Sequence, residues 1–89
     1  MPVVKVPPPY QGPTQGRAQI QVRGGNVREC LEAVGSEYPG FAEQIFDESG
    51  AVHRFVSLFI NGDEIDRQAV DTPVAESDEV EILAAIAGG

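Results

Sequence analysis

Apolar and polar residues alternate along several short segments of the chain, a pattern typical of strands with one buried face. Segment 4–6 is the first, and segment 18–23 alternates so that its inward positions are Ala18, Ile20 and Val22. We expect these two strands to form an antiparallel hairpin. The segment 7–16 between them is rich in Pro and Gly, which predicts a loop.

The remaining strands are predicted in the second half of the chain. Segment 55–60 is the most apolar: Val56, Leu58 and Ile60 point one way, and Phe55, Ser57 and Phe59 point the other. Asn61-Gly62 predicts a tight turn, because both residues tolerate positive φ. A short edge strand is expected at 64–66, and a last strand from Val80 to about Ala85 that buries Val80 and Ile82.

One amphipathic helix is predicted between the two groups of strands. Asn26 suits the N-cap position, with Glu29 three residues later. The apolar stripe consists of Val27, Cys30, Leu31, Val34 and Tyr38, and Gly35 is expected to face away from it. Pro39 is expected to stop the helix, and residues 41–46 could add one or two further helical turns.

The order strand, strand, helix, strand, short strand, strand predicts an α+β fold. One main helix packed on one face of a mixed sheet of four or five strands would cover the apolar faces of both. This is the ubiquitin-like β-grasp arrangement, with the last strand placed centrally. We therefore divide the chain into a β-grasp domain at 1–84 and a flexible, extended C-terminal Gly-Gly tail at 85–89.

Composition narrows the possible functions. The formal charge of −8 argues against nucleic acid binding, which needs clustered Lys and Arg, and suits either solubility or docking onto a basic partner. No apolar run approaches the roughly 20 residues that span a bilayer, and the N-terminus does not resemble a signal peptide. We expect a cytoplasmic protein without a membrane partner.

No set of side chains in the sequence predicts a catalytic or metal site. Cys30, the one cysteine, lies in the apolar stripe and is expected in the core. His53, the one histidine, has no Cys or His at ligand spacing, so a hydrogen bond in a loop or at a strand end is expected of it. No Gly-rich phosphate loop is present, so we expect no bound cofactor.

Two features suggest binding instead. Phe55, Phe59 and Leu83 are expected on the sheet face away from the helix, where an apolar patch would be a docking surface; the alternatives are that loop 40–52 covers them or that the faces are inverted. The sequence ends in Ala87-Gly88-Gly89, which could lie extended in a narrow cleft and deliver its carboxylate into a partner. The alternative for the tail is an ordinary frayed end.

These features resemble the ubiquitin-like sulfur-carrier proteins of the MoaD/ThiS type, which include the molybdopterin synthase small subunit and the thiamine sulfur carrier. The resemblance covers essentially the whole chain and is carried by segment 78–83 leading to Gly88-Gly89, by segment 59–62 and by the capped helix at 26–38. Segment 53–56 looks most like the cysteine-synthesis carrier subgroup.

The resemblance implies a chemistry carried out with partners. An E1-like adenylating enzyme of the MoeB/ThiF type would consume ATP to adenylate the Gly89 carboxylate, and a sulfur donor would convert it to a thiocarboxylate. Gly88 and Ala87 would thread into the partner, with docking assigned to Phe55, Phe59 and Leu83. The acceptor would be a sulfur-accepting synthase, a cysteine synthase homologue being one candidate, and a metallopeptidase could process the tail.

Three other functions remain open from the sequence. The chain could be a ubiquitin-like modifier conjugated to lysines through Gly89, although Lys5 is its only lysine for building chains of itself. It could be a permanent small subunit of molybdopterin synthase. It could also be a structural domain in which the tail has no role.

Overall fold

The segments with alternating polarity form strands, and the segment with helical spacing forms a helix. The structure is a computed structural model that describes residues 1–84. Its elements are β1 (Val3–Lys5), β2 (Gln19–Gln21), α1 (Val27–Glu37), α2 (Pro39–Ile45), β3 (Val56–Ile60), β4 (Asp63–Ile65) and β5 (Glu79–Ala84). A single turn of 3-10 helix, Pro8–Tyr10, lies between the first two strands.

The five strands form one mixed sheet in the order β2-β1-β5-β3-β4. The central strand β5 is parallel to β1, with Val80 beside Val4, and antiparallel to β3, with Ile82 beside Leu58. β1 and β2 form the predicted antiparallel hairpin, and β4 is the predicted edge strand. The ubiquitin-like β-grasp fold expected from the sequence is confirmed.

Both helices lie over one face of this sheet. Val4, Leu58, Val80 and Ile82 are buried beneath them, and α1 contributes its apolar stripe to the same core. Full burial of one such aliphatic side chain stabilises a fold by roughly 1.5–3 kcal/mol. The opposite sheet face has no helix over it in residues 1–84 and is called the open face below.

The backbone N–H groups in the first turn of α1 donate hydrogen bonds to both local and distant acceptors. The Glu29 backbone N–H donates to Asn26 Oδ1 at 2.8 Å, as the N-cap prediction requires, and the Gly25 N–H donates to Glu29 Oε1 at 2.7 Å. The Val27 and Arg28 N–H groups donate to carbonyls at Thr72 and Val70. The polar connection before β5 therefore completes the helix cap, a role that its sequence did not suggest.

The turn between β3 and β4 fixes the start of β5. Asn61 and Gly62 have φ values of 51° and 87°, the left-handed conformation that this turn needs. Asn61 Nδ2 donates to Asp78 Oδ1, and Asn61 Oδ1 accepts the Glu79 N–H, each at 2.9 Å. The turn and the central strand are thus joined through one side chain.

Two expectations were wrong in detail, and a third was right but incomplete. Gly35 does not face away from the core: it is buried against α2, and a Cβ at this position would lie 2.8 Å from Ala42 Cβ. Ala18 is exposed, because the backbone bends there and pairing with β1 begins only at Gln19. Pro39 ends α1 but also occupies the first turn of α2, where its missing N–H costs nothing.

Within residues 1–84, no helix is long and apolar enough to cross a bilayer. The cytoplasmic location stays a prediction. So does the domain boundary after residue 84, because the tail at 85–89 lies outside the described part of the chain.

Candidate functional site

The candidate site is the end of the central strand β5. Ala84, its last residue, pairs with Val56 at the start of β3, so the strand ends beside the turn that contains His53, Arg54 and Phe55. Residues 85–89 follow Ala84 directly in sequence. The predicted sulfur-carrying residue Gly89 and the predicted threading residues Ala87 and Gly88 lie outside the described residues.

Phe59 and Leu83 lie on the open face, as the alternation predicted. Their strand neighbours Leu58 and Ile82 are fully buried under the helices, so Phe59 and Leu83 point the other way. Leu83 is 38% exposed and stands opposite Ser57, two pairs along the ladder from the Phe59–Glu81 pair. Phe59 is partly buried, and the docking role of both residues stays a prediction.

Phe55 belongs to a turn rather than to β3, although its ring is 41% exposed as expected of a docking residue. The ring stacks on His53 with centroids 4.6 Å apart, and the guanidinium carbon of Arg54 lies 5.1 Å from the Phe55 centroid. The Phe55 N–H donates to His53 Nδ1 at 3.3 Å, which is the strand-end hydrogen bond predicted for His53. The contact of Arg54 with Phe55 was not predicted, because it depends on this turn geometry.

The open face carries carboxylates beside its apolar side chains. In the register of the sheet, Phe59 stands opposite Glu81 on one side and Glu64 on the other. Lys5 Nζ lies 3.1 Å from Glu79 Oε2 further along the same face. Apolar side chains with carboxylates beside them suit a partner that presents basic side chains next to an apolar contact.

Cys30 does not contribute to this surface. Its side chain is fully buried, and burial, with the neighbouring Glu29 carboxylate, raises the pKa of the Cys30 thiol. A raised pKa disfavours the nucleophilic thiolate, which agrees with the expected core role. Among residues 1–84, no group of three or more His, Cys, Asp and Glu side chains is placed to hold a metal ion.

Comparison with known proteins supports the resemblance to sulfur carriers. The Mycobacterium bovis sulfur carrier protein CysO is 29% identical, over 97% of this chain and 96% of that protein. A chain in the crystal structure of the Amycolatopsis orientalis BexX/CysO complex is 26% identical, with a TM-score of 0.88 and full coverage of both chains. The small archaeal modifier protein 1 of Methanosarcina acetivorans is 25% identical, with a TM-score of 0.83 over 99% of this chain and 95% of that one.

The model of the ThiS family matches residues 11–89, which include β2 to β5, both helices and the Gly-Gly end of the sequence. The match covers most of the chain, and the fold agrees with that of its relatives. The chain therefore belongs to the ThiS family.

Proposed function

We propose that this chain is a sulfur carrier whose Gly89 carboxylate is activated by a partner, converted to a thiocarboxylate and used to donate sulfur in biosynthesis. The observation that carries the proposal is the family match, which reaches through residue 89. The mycobacterial relatives named as sulfur carriers and the central position of β5 support it. A strand bonded on both sides is a rigid base for the tail that follows it.

The chemistry needs no catalytic group from this chain. The Gly89 carboxylate attacks the α-phosphate of ATP and releases pyrophosphate, giving an acyl adenylate. A sulfide-equivalent donor then attacks the acyl carbon, AMP leaves, and the product is a thiocarboxylate. The sulfur is passed to an acceptor, and hydrolysis of the acyl group restores the carboxylate. In this role the protein is a substrate and carrier, not the catalyst.

Three kinds of partner follow from this role. An E1-like adenylating enzyme of the MoeB/ThiF type consumes the ATP, and a sulfur-accepting synthase takes the sulfur, with a cysteine synthase homologue as the first candidate. A metallopeptidase that trims the tail is the third. The side chains of Phe55, Phe59 and Leu83 serve as the shared docking surface, since each partner must approach the same end of β5.

The test is intact-mass analysis after incubation with the adenylating enzyme from the same genome, ATP and sulfide. We expect one oxygen to be replaced by sulfur, and we expect no change in a variant that lacks Gly89. A variant with one residue appended after Gly89 tests the position of the carboxylate and should also stay unmodified. An unchanged wild-type mass, with an enzyme that adenylates another carrier of this family under the same conditions, would contradict the proposal.

A second candidate function is a protein modifier joined to target lysines through Gly89. It is favoured by the similarity to the Methanosarcina modifier protein at 25% identity. Activation is the same in both functions, so the products separate them. Isopeptide-linked species in cell extracts that disappear when Gly88-Gly89 is deleted would support conjugation. The molybdopterin synthase alternative stays a prediction, tested by copurification with a large subunit.

A further inference from the structure

We propose that Arg54 binds a carboxylate of the activating enzyme beside the mouth of the cleft that receives the tail. This inference rests on the proposed function and adds to it the chemistry of the contact at the base of the tail. The partner surface that it predicts is mixed: it is basic opposite the carboxylates of the open face and acidic beside the end of β5.

Arg54 is held in position by an aromatic neighbour. Its guanidinium carbon lies 5.1 Å from the Phe55 centroid, within the range of a cation–π interaction. Phe55 is itself fixed by stacking on His53 and by its N–H bond to His53 Nδ1. The Arg54 guanidinium is therefore held against the Phe55 ring while it remains exposed to solvent.

Three of the other basic side chains already have partners within residues 1–84. Lys5 is paired with Glu79, Arg28 lies 3.7 Å from Glu32 and donates to the Gly50 carbonyl, and Arg67 donates to the Val52 carbonyl. Within residues 1–84, Arg54 makes neither a hydrogen bond nor an ion pair with a carboxylate. In a chain with 14 acidic and 6 basic residues, this leaves its charge available to an external anion.

The length of the tail places the partner over Arg54. Ala84 is paired with Val56, two residues after Arg54, and five residues separate this point from the end at Gly89. Five residues span at most about 18 Å when fully extended. An enzyme that encloses Gly89 in its active site must therefore bring the walls of its cleft close to the end of β5 and to the 53–55 turn.

The same geometry favours a protein carboxylate over a nucleotide phosphate as the anion. ATP must lie at the distal end of the tail, where the Gly89 carboxylate reacts, whereas Arg54 lies beside its base. Carboxylates beside arginines at the rim of an interface raise the association rate and fix the orientation of the partners. Arg54 is thus a positioning residue for docking and has no part in the chemical step.

The test compares Arg54→Glu with Arg23→Glu in the thiocarboxylation assay. Arg23 follows β2 at the opposite end of the sheet, where Gln21 pairs with Val3 and Val3 pairs with Glu79, so it is a matched control with the same change in net charge. We expect Arg54→Glu to raise KM for the carrier about tenfold with kcat unchanged, and Arg23→Glu to change KM less than about twofold. Arg54→Lys, which keeps the charge, should stay close to wild type.

Salt provides a second readout. The Debye length falls from about 10 Å at 0.1 M ionic strength to about 3 Å at 1 M. The KM difference between the two variants should therefore shrink at high salt. Equal KM values for the two variants, with the wild type fully modified, would overturn this inference and leave the proposed function intact. A wild type that gains no sulfur would overturn both. If Arg54→Glu does not fold, Arg54→Gln is measured with the same criteria.

Discussion

Phe59 is the residue whose surroundings say most about docking. It points to the open face between Glu81 and Glu64, directly opposite both in the sheet register. A partner that contacts the ring must therefore place an apolar group at the centre and accept carboxylates on two sides. Substituting Glu at this position would add a third like charge to the row and destabilise the sheet itself, so a neutral substitution is the cleaner probe.

We predict that Phe59→Ser raises KM for the carrier in the thiocarboxylation assay about tenfold, as expected when an interface residue worth about 1.4 kcal/mol is removed. Its free energy of unfolding should fall by only about 1 kcal/mol, the span of strand propensities, because the ring is half-exposed.

The control for Phe59→Ser is its neighbour Leu58, which is fully buried. Leu58→Ala should cost about 2–5 kcal/mol in unfolding free energy while leaving KM unchanged for the folded fraction. The opposite ranking of the two stability losses, measured by denaturant unfolding, would mean that Phe59 belongs to the core.

At the scale of elements, the close approach of α1 and α2 depends on Gly35. The two helices meet where a Cβ at residue 35 would lie 2.8 Å from Ala42 Cβ, a distance that real Cβ atoms do not adopt. The glycine lowers the helix propensity of α1 by up to about 1 kcal/mol. In return, Phe41 and Ile45 of α2 are fully buried in the core.

We predict that Gly35→Ala destabilises the protein by about 1 kcal/mol, because overpacking costs about 1–3 kcal/mol and the gain in helix propensity offsets only part of it. In an Ala42→Gly background, where the opposing methyl group is absent, the same substitution should be stabilising. Urea unfolding of all four proteins measures this change of sign, and the same sign in both backgrounds would rule out the clash as the reason for the glycine.

The sequence predicted the elements well because their signals are local. The alternation at 56–60, the cap at Asn26 and the turn at Asn61-Gly62 each depend on neighbours in the chain, and each was confirmed. The buried position of Gly35 was missed, because it depends on how two helices pack. For the candidate site, the open-face positions of Phe59 and Leu83 followed from alternation. The contact between Arg54 and Phe55 did not, because Phe55 lies in a turn and was predicted to belong to the strand.

At the scale of the whole molecule, two hydrogen-bonded carboxylates make the free energy of unfolding depend on pH in the acid range. Hydrogen bonds from the Ala75 N–H and the Asn61 side chain lower the pKa of Asp78, and the hydroxyl and N–H of Ser49 together with the Ala51 N–H lower the pKa of Asp47. Both carboxylates therefore release their protons more readily in the folded state than in the unfolded chain. Their stabilising contribution is complete above the ordinary value of 3.8 and is lost as the pH falls through the lower folded values.

We predict that the melting temperature falls steeply below about pH 4 and that Asp78→Asn makes this fall shallower, because one of the two linked protons is removed. At neutral pH the variant should melt lower than wild type, since the Asn side chain can no longer accept from both the Ala75 N–H and Asn61. Asp71→Asn, an exposed position, is the control. If plots of melting temperature against pH are parallel for all three proteins between about pH 5 and pH 2, the contribution assigned to Asp78 is wrong.

The central placement of β5 also has a mechanical consequence. A protein that grips the end of this chain and pulls along it loads β5 in shear against β1 on one side and β3 on the other. The ladder bonds of both neighbours must then yield together, whereas an edge strand would peel away one bond at a time. The fold is therefore expected to resist a pulling force applied at the end of β5. It should unfold at a lower force when it is pulled through β4, an edge strand of the sheet.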